Sequence, residues 1–256
     1  DGKLPENIKV CFANTGKEMP ETLDFVRDCQ EKWGVDITWL ERYAKKAPED
    51  HKNKYMYETK VVDYKTAARN GEPFMQLIKV RGIAPNPVAR FCTVDLKIRA
   101  IRDFVDSIAW EMPYVGFIGI RADEQRRAAK MHGTKESGQE RFLPLWLDGV
   151  TKDHIYDFWI NSDFDLNLPN NNGVTDWGNC DLCFLKGHSK RMSIVRERPD
   201  LADWWIDAEA SLSKDVGKAA YFRSDTPSYS DMKIIATTQD TFDFGDDETI
   251  PCFCGD

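Results

Sequence analysis

Near its start the chain reads Ile8-Lys9-Val10-Cys11-Phe12-Ala13-Asn14-Thr15-Gly16, a short apolar run followed by a turn. Apolar runs of this length that stop at a polar, Gly-containing turn are typical of buried β-strands. Pro20-Glu21-Thr22 then begins a helical pattern that ends at Gly34, and residues 35–40 form the next apolar run. Strand, turn, helix and strand in this order predict a parallel α/β unit.

The polar turn after the first strand is a candidate ligand site. In open α/β sheets, ligands bind beyond the carboxyl ends of the strands. This rule places Asn14, Thr15 and Gly16 where a small molecule would bind. The alternative is a simple connecting turn.

A second candidate site follows residues 114–120, which predict the clearest core strand in the chain. Gly119 lies at its end, and Arg121, Glu124 and Arg127 follow in a segment dense in arginine. Guanidinium groups at a strand end are well placed for two-pronged contacts with phosphate or sulfate oxygens. The alternative is a solvated helix face on which the acidic residues pair locally with the arginines.

Between these sites the sequence is less informative. Residues 42–58 are rich in Lys, Glu and Tyr without clear periodicity, so we expect an exposed loop or insertion. Residues 59–64 are a candidate strand, and residues 73–80 predict a short helix.

The stretch Gly178-Asn179-Cys180-Asp181-Leu182-Cys183-Phe184-Leu185-Lys186-Gly187 contains the chemically most distinctive motif. Two cysteines separated by two residues can direct both sulfurs toward one metal or cluster. The following lysine favours thiolates, because nearby positive charge lowers a thiol pKa. The same spacing also occurs in redox pairs and in unrelated structural thiols.

Other cysteines are available to complete such a site. Cys92 precedes Thr93, a good helix N-cap, and a thiol at a helix N-terminus near Arg90 and Lys97 is expected to ionise readily. The alternative for Cys92 is a small buried apolar residue. Cys252 and Cys254 form a C-x-C pair close to the end of the chain, and we expect this pair to bind a ligand such as the same metal or cluster.

Composition limits the class of protein. The chain has 256 residues, of which 41% are hydrophobic and 12% aromatic, enough for a substantial core. Its formal net charge of −8 argues against a protein that coats nucleic acid. Seven cysteines, no signal peptide and no apolar run of about 18 residues predict a cytoplasmic protein that does not enter membranes.

Taken together, five motifs resemble the phosphoadenosine phosphosulfate (PAPS) reductase family, especially its small bacterial and phage members with extra cysteines. In chain order they are Asn14-Thr15-Gly16 with Pro20-Glu21-Thr22, Arg90-Phe91-Cys92-Thr93 with Leu96-Lys97-Ile98, Gly119-Ile120-Arg121-Ala122-Asp123-Glu124 with Arg127, Pro144-Leu145 before Thr151, and Asn179-Cys180 with Cys183-Phe184-Leu185-Lys186. The resemblance spans about residues 8–190. It implies an α/β fold of the adenine nucleotide α-hydrolase-like type, a parallel sheet with helices on both faces. The adenine nucleotide-binding domain would cover residues 1–160, and a Cys-containing C-terminal appendage over residues 161–256 would pack on it.

The resemblance also implies roles for individual residues. Asn14, Thr15, Gly16 and Gly119 would line the nucleotide site, and Arg121, Glu124 and Arg127 would handle the sulfate or phosphate end. The cluster ligands of a [4Fe-4S] centre would be Cys92, Cys180, Cys183 and one of Cys252 or Cys254. We assign Cys252 as that ligand and Cys254 as the catalytic thiol. Structural zinc, with His188 as a possible fourth ligand, is the alternative.

Two features depart from the family pattern. Family members carry a Ser-Gly-Gly-rich phosphate loop before the strand at residues 8–12, and nothing in this sequence supplies it. We expect that this segment is absent from the sequence, the alternative being a protein that has lost nucleotide hydrolysis. In addition, the reductases place their catalytic cysteine in a Glu-Cys-Gly-Leu-His-like segment, whereas this chain reads Pro251-Cys252-Phe253-Cys254-Gly255.

The function implied by the resemblance is a PAPS reductase-like enzyme that acts on an adenine nucleotide, PAPS, APS or ATP, in sulfur metabolism. Its partner would be a thiol reductant or a sulfur donor protein. A homo-oligomer is a further possible assembly. One alternative is an ATP pyrophosphatase-type sulfurtransferase that inserts sulfur into a small molecule or a nucleic acid. The other is a non-catalytic nucleotide-binding protein held together by zinc or a cluster.

Overall fold

A computed structural model describes residues 4–108, 113–131, 140–171, 173–217 and 220–238. The first unit is β1 (Val10–Ala13), α1 (Pro20–Trp33) and β2 (Ile37–Lys46). Strands β1 and β2 are parallel, with Val10 opposite Ile37 and Ala13 opposite Leu40. Gly34 ends α1 with φ of 62°, a left-handed conformation that glycine adopts without steric cost. The predicted strand, turn, helix and strand are therefore confirmed.

The third strand, β3 (Tyr55–Val62), pairs antiparallel with β2 and completes a three-stranded sheet in the order β1-β2-β3. The prediction of a loop over residues 42–58 was therefore wrong for most of that stretch. The physical reason is that β2 buries charged side chains, which hides the apolar alternation of a strand. Glu41 is buried beside Asn14, and Arg42 is buried with its Nε 2.7 Å from Asp103 Oδ2.

A long helical segment follows the sheet. Helix α2 (Glu72–Arg81) confirms the helix predicted over residues 73–80. Further along are the short helix α3 (Phe91–Thr93), a π-helical turn (Val94–Ile98) and α4 (Arg99–Ile108), without interruption between them. Leu96 and Ala100 are buried on the inner side of this segment.

The second sheet is a parallel pair, β4 (Val115–Phe117) and β5 (Glu140–Phe142), with α5 (Gln125–Met131) between them in the sequence. The predicted core strand over residues 114–120 is thus shorter than expected, and Phe117 is 63% exposed. Only after the strand ends does the chain turn inward, where Ile120 joins a small buried cluster with Ala128 and Leu143.

The remaining helices follow as α6 (Pro144–Leu147), α7 (Lys152–Ile160), α8 (His188–Glu197), a 3₁₀ turn (Pro199–Leu201), α9 (Ala202–Val216) and α10 (Tyr229–Thr238). Thr151 caps α7 through a reciprocal capping box with His154, as its N-cap position predicted.

The main core joins the C-terminal helices to the N-terminal half. Phe74 of α2 contacts Trp205 of α9 and Phe222 in edge-on geometry, and these rings share one buried cluster with Leu96 and Leu182. The architecture is mixed α/β with parallel strands and helices, as predicted. The division at residue 160 stays a prediction, and Cys252 and Cys254 of the expected appendage lie outside the described residues. No helix in the described part of the chain is long and apolar enough to cross a membrane.

Candidate functional site

The turn after β1 is braced from within by Asn14. Its Nδ2 donates to Glu41 Oε1 at 2.7 Å and to the Ala68 carbonyl at 2.9 Å, while its Oδ1 accepts from the Gly16 amide at 3.0 Å. Asn14 is fully buried, so every polar atom of its side chain is used inside the protein. As the structure stands, Asn14 positions the turn.

The next residues of this turn surround the carboxylate of Glu18. That carboxylate accepts hydrogen bonds from the Thr15 amide at 2.9 Å and the Lys17 amide at 3.2 Å, and from the Thr15 hydroxyl at 2.9 Å. Lys97 Nζ lies 3.5 Å from the other carboxylate oxygen. Converging backbone N–H groups are a common way to hold an anion. Here the anion they hold is a side chain of the protein.

Two glycines allow the turn to meet α2. Gly16 has φ of 77°, and its carbonyl accepts from the Gly71 amide at 2.8 Å. A Cβ at Gly16 would lie 3.0 Å from Gly71 Cα, and a Cβ at Gly71 would overlap the indole of Trp204. That indole also faces the ammonium of Lys17, 4.9 Å from the ring centroid. Side chains at either glycine are therefore excluded by the close approach.

The cysteine-containing turn docks directly onto this loop, although 165 residues separate the two in sequence. Glu18 and Cys180 form an antiparallel bridge, and the Asp181 amide donates to the Lys17 carbonyl at 2.8 Å. The sulfur of Cys180 lies 3.6 Å from Thr15 Oγ1. The structure thus brings together the two sequence-predicted sites at residues 14–16 and 180–183.

A buried charge network holds this junction. Lys17 Nζ lies 2.7 Å from Asp181 Oδ2, and Trp205 Nε1 donates to Asp181 Oδ1 at 2.8 Å. Lys186 Nζ donates to the carbonyls of Asp176 and Asp181 at 2.6 and 2.8 Å. Burial lowers the pKa of Lys186, and the nearby thiols of Cys183 and Cys180 oppose that shift. The sequence analysis missed Lys17 and Asp181, because isolated charges carry no spacing signal.

Of the cysteines predicted as metal ligands, Cys180 and Cys183 lie in one turn, whereas Cys92 lies in another segment. Cys183 is buried and Cys180 is partly buried in the same turn, and Cys92 lies in the first turn of the helical segment, also partly buried. Within residues 4–238 as described, no three Cys, His, Asp or Glu side chains form a group able to hold a metal ion. Cys252 and Cys254 lie outside the described residues. The metal site therefore stays a prediction.

The arginine-rich segment after β4 is locally paired. Arg121 Nε donates to Asp123 Oδ1 at 2.9 Å, and Arg127 Nη1 lies 2.5 Å from Glu124 Oε1. The hydrogen bond from Arg121 lowers the pKa of Asp123. This geometry matches the local pairing named above as the alternative to anion binding. The catalytic roles of Arg121, Glu124 and Arg127 stay predictions.

Comparison with known families decides the class of the fold. The model of the phosphoadenosine phosphosulfate reductase domain matches residues 2–168. The chain belongs to the PAPS reductase domain family. The match includes the turn at residues 14–18, Cys92, Gly119 and the arginine-rich segment, whereas the Cys180 turn lies beyond it. Membership in the PAPS reductase domain family supports a nucleotide-related enzyme in general terms.

Relatives of this PAPS reductase domain protein are matched over only part of their own length. An uncharacterized nin region protein of Escherichia phage lambda is 28% identical over 185 residues, covering 72% of this chain and 59% of the relative. An uncharacterized protein of Methanocaldococcus jannaschii is 25% identical over 206 residues, covering 79% of this chain and 36% of the relative. The chain thus spans about three fifths and about one third of these relatives. No solved structure matches it significantly.

Proposed function

We propose that this PAPS reductase domain protein acts on an adenine nucleotide, PAPS, APS or ATP, in sulfur metabolism, with PAPS reductase-like chemistry. The observation that carries the proposal is the junction of Cys180 with the turn after β1, where the Cys180 sulfur lies 3.6 Å from Thr15 Oγ1. It sets a thiol at the carboxyl end of a parallel strand, which is the ligand-binding end in α/β sheets.

The residues at this junction differ in burial, and we propose that they differ in role accordingly. Asn14 and Thr15 are 0% and 2% exposed, so they serve as the frame of the site. Cys180 is partly buried and keeps some surface. A nucleotide at this edge of the sheet would meet the Cys180 turn first.

The proposed reaction uses a thiolate as nucleophile. The Cys254 thiolate attacks the sulfur of the sulfonucleotide, so that a sulfur–sulfur bond forms and the bond from sulfur to the phosphate oxygen breaks. The adenosine phosphate leaves with both electrons of that bond, and the enzyme holds a thiosulfonate. A thiol reductant then attacks the Cys254 sulfur, which releases sulfite and leaves a disulfide. Arg121 and Arg127 would stabilise the charge of the leaving phosphate.

An iron–sulfur cluster is the cofactor proposed for this site. The donor chemistry of the Cys180 turn suits it, because two thiols lie close to the ammonium of Lys186, which stabilises thiolates. Cys180 and Cys183 would supply two of the four ligands, and Cys92 and Cys252 the others. When bound, the cluster would supply a redox-active centre beside the nucleotide. The reaction above assigns no step to it.

A second candidate has its own structural support. The Cys180 turn is held by a β-bridge, a buried ion pair and two lysine–carbonyl hydrogen bonds. Such anchoring is also what a purely structural metal or cluster site would have. In that case the protein would bind a nucleotide without turning it over.

The test uses the full-length protein purified without oxygen. Iron and zinc are measured, ATP and PAPS are titrated by calorimetry, and sulfite release from PAPS is followed with a dithiol reductant. The proposal predicts about four iron atoms per chain, a preference for PAPS and sulfite release. Preference for ATP without sulfite release would indicate a sulfurtransferase, and zinc with nucleotide binding but no turnover would indicate the structural alternative.

A matched pair of variants locates the chemistry. Cys180→Ser is expected to lower iron content and abolish sulfite release. Cys11→Ser, at another partly buried thiol, in β1, is expected to change neither. Equal iron content and equal activity in both variants would contradict the role proposed for Cys180.

A further inference from the structure

Tyr229, the first residue of α10, is bonded to the backbone of the Cys180 turn, which also holds Cys183. Its hydroxyl donates to the Leu182 carbonyl at 2.6 Å, and 47 residues separate the two in sequence. Both residues are buried. The carbonyl oxygen of Leu182 lies in the same peptide plane as the amide nitrogen and Cα of Cys183. A bond that fixes this oxygen therefore fixes the backbone from which the Cys183 side chain starts.

The direction of this hydrogen bond is set by a buried arginine. Arg191 of α8 hydrogen-bonds to the Tyr229 hydroxyl, and its Nη2 also donates to Thr226 Oγ1 at 3.0 Å. A guanidinium has only donors, so the hydroxyl oxygen must accept from Arg191. The hydroxyl proton is then left for the Leu182 carbonyl.

The ring and the backbone of Tyr229 are held independently of the hydroxyl. The ring stacks on the Trp205 indole, with centroids 5.1 Å apart and planes 25° apart, and it meets Phe222 edge on at 5.8 Å. The Tyr229 amide donates to Glu209 Oε2 at 3.3 Å, which ties the start of α10 to α9. A side chain that is already fixed in this way loses little conformational entropy when its hydroxyl bonds to the turn.

The stacked partner of Tyr229 holds the adjacent residue of the same turn. Trp205 Nε1 donates to Asp181 Oδ1 at 2.8 Å, while Tyr229 binds the Leu182 carbonyl. Asp181 and Leu182 are the two residues that separate the cysteines. One pair of stacked rings from α9 and α10 therefore binds both residues between the two thiols.

We infer that Tyr229 is a positioning residue for the cysteine site, and that it acts on Cys183 through the Leu182 carbonyl. This role rests on the proposed function, because the two thiols matter to the chemistry only if they serve it. Tyr229 keeps the Cys183 thiol in its buried position, where it is 6% exposed. A site whose side chains are fixed in advance binds its ligand with less reorganisation. The residues that do this lie beyond residues 2–168, the part matched by the PAPS reductase domain model.

The test compares the full-length wild type with Tyr229→Phe, which keeps the ring and removes only the hydroxyl. Loss of one buried hydrogen bond is expected to raise the population of the opened turn about tenfold. The rate at which iodoacetamide alkylates Cys183 should therefore rise about tenfold. Fragmentation mass spectrometry of the alkylated peptide separates Cys183 from Cys180.

Two controls separate this role from a general loss of stability. Cys29 is buried in α1, in a different part of the fold, and should be alkylated at its wild-type rate in Tyr229→Phe. Tyr221→Phe makes the same chemical change at a residue that is 48% exposed, and it should leave Cys183 as in the wild type. An unchanged rate at Cys183, or equal acceleration of Cys29 and Cys183, would overturn the inference.

The alkylation assay needs neither nucleotide nor reductant, so its result is independent of the proposed reaction. Iron content and sulfite release are measured on the same wild-type preparation. Faster alkylation of Cys183 in Tyr229→Phe, with neither iron nor sulfite release in the wild type, would support the positioning role and contradict the proposed function. Iron and sulfite release in the wild type, with no change of alkylation in the variant, would do the reverse.

Discussion

The contact between Gly16 and Gly71 permits a quantitative prediction. Gly71 and Gly82 flank the same helix, α2, and both have left-handed backbones, with φ of 75° and 67°. Alanine costs about 1–2 kcal/mol in this conformation. At Gly82 a Cβ meets nothing within 4 Å, whereas at Gly71 it would overlap the Trp204 indole and lie 2.8 Å from Lys17 Cδ. Overpacking of that kind adds about 1–3 kcal/mol.

Gly82→Ala should therefore lower the free energy of unfolding by about 1–2 kcal/mol, and Gly71→Ala by about 2–5 kcal/mol. The loss of unfolded-state entropy is the same for both variants and cancels in the comparison. The measurement is urea unfolding followed by tryptophan fluorescence, with the midpoints compared at equal slope. Equal destabilisation of the two variants would show that the packing of Trp204 on Gly71 is not as described. Gly71→Ala should also weaken nucleotide binding, since it displaces the Lys17 side chain.

Two further predictions concern buried charges. Burial raises the pKa of the Glu209 carboxyl from its ordinary value of 4.5 to about 7, so between these pH values the folded protein holds a proton that the unfolded chain has lost. The free energy of unfolding should therefore fall by on the order of 3 kcal/mol as pH rises from about 4.5 through 7. Glu209→Gln should remove this pH dependence. Asp181→Ala would leave the buried ammonium of Lys17 without its partner, and a loss of about 3–5 kcal/mol in the free energy of unfolding is expected by chemical denaturation.

Each of these variants has a control on the surface of the same protein. Glu197→Gln, at an exposed position of α8, should leave the pH dependence of unfolding as in the wild type. Asp200→Ala breaks an exposed ion pair with Arg198, which should cost no more than about 1 kcal/mol. A pH profile unchanged by Glu209→Gln, or an Asp181 variant as stable as the Asp200 variant, would count against the burial described for these groups.

Parts of the fold were predictable because local signals agreed with the tertiary structure. The strand and turn that lead to Gly16, the helix that begins at Pro20, and the N-cap at Thr151 each combine an apolar pattern with the residue type that the local backbone requires. In β1 and α1 the buried side chains, those of Ala13, Leu23 and Cys29, are apolar, so periodicity reports burial directly.

The apolar pattern failed to predict structure where buried side chains are polar or exposed side chains are apolar. Strand β2 buries Glu41 and Arg42 against partners distant in sequence, so its alternation was hidden and the hairpin with β3 was missed. In β4 the opposite holds, because Phe117 is apolar yet 63% exposed, and the predicted strand was too long.

The candidate site was also only partly predictable from the sequence. Sequence motifs indicated the turn at residues 14–16 and the cysteines at 180 and 183 separately. Their contact depends on the bridge between Glu18 and Cys180 and on the buried pair of Lys17 with Asp181, which only the tertiary fold brings together.

The central claim is that an adenine nucleotide binds where the Cys180 turn meets the carboxyl end of β1. A crystal structure of the full-length protein with PAPS or ATP bound tests it most directly. The account predicts an ordered nucleotide at this edge of the sheet, in contact with Cys180. A nucleotide bound elsewhere on the protein, with Cys180 remote from it, would contradict the account.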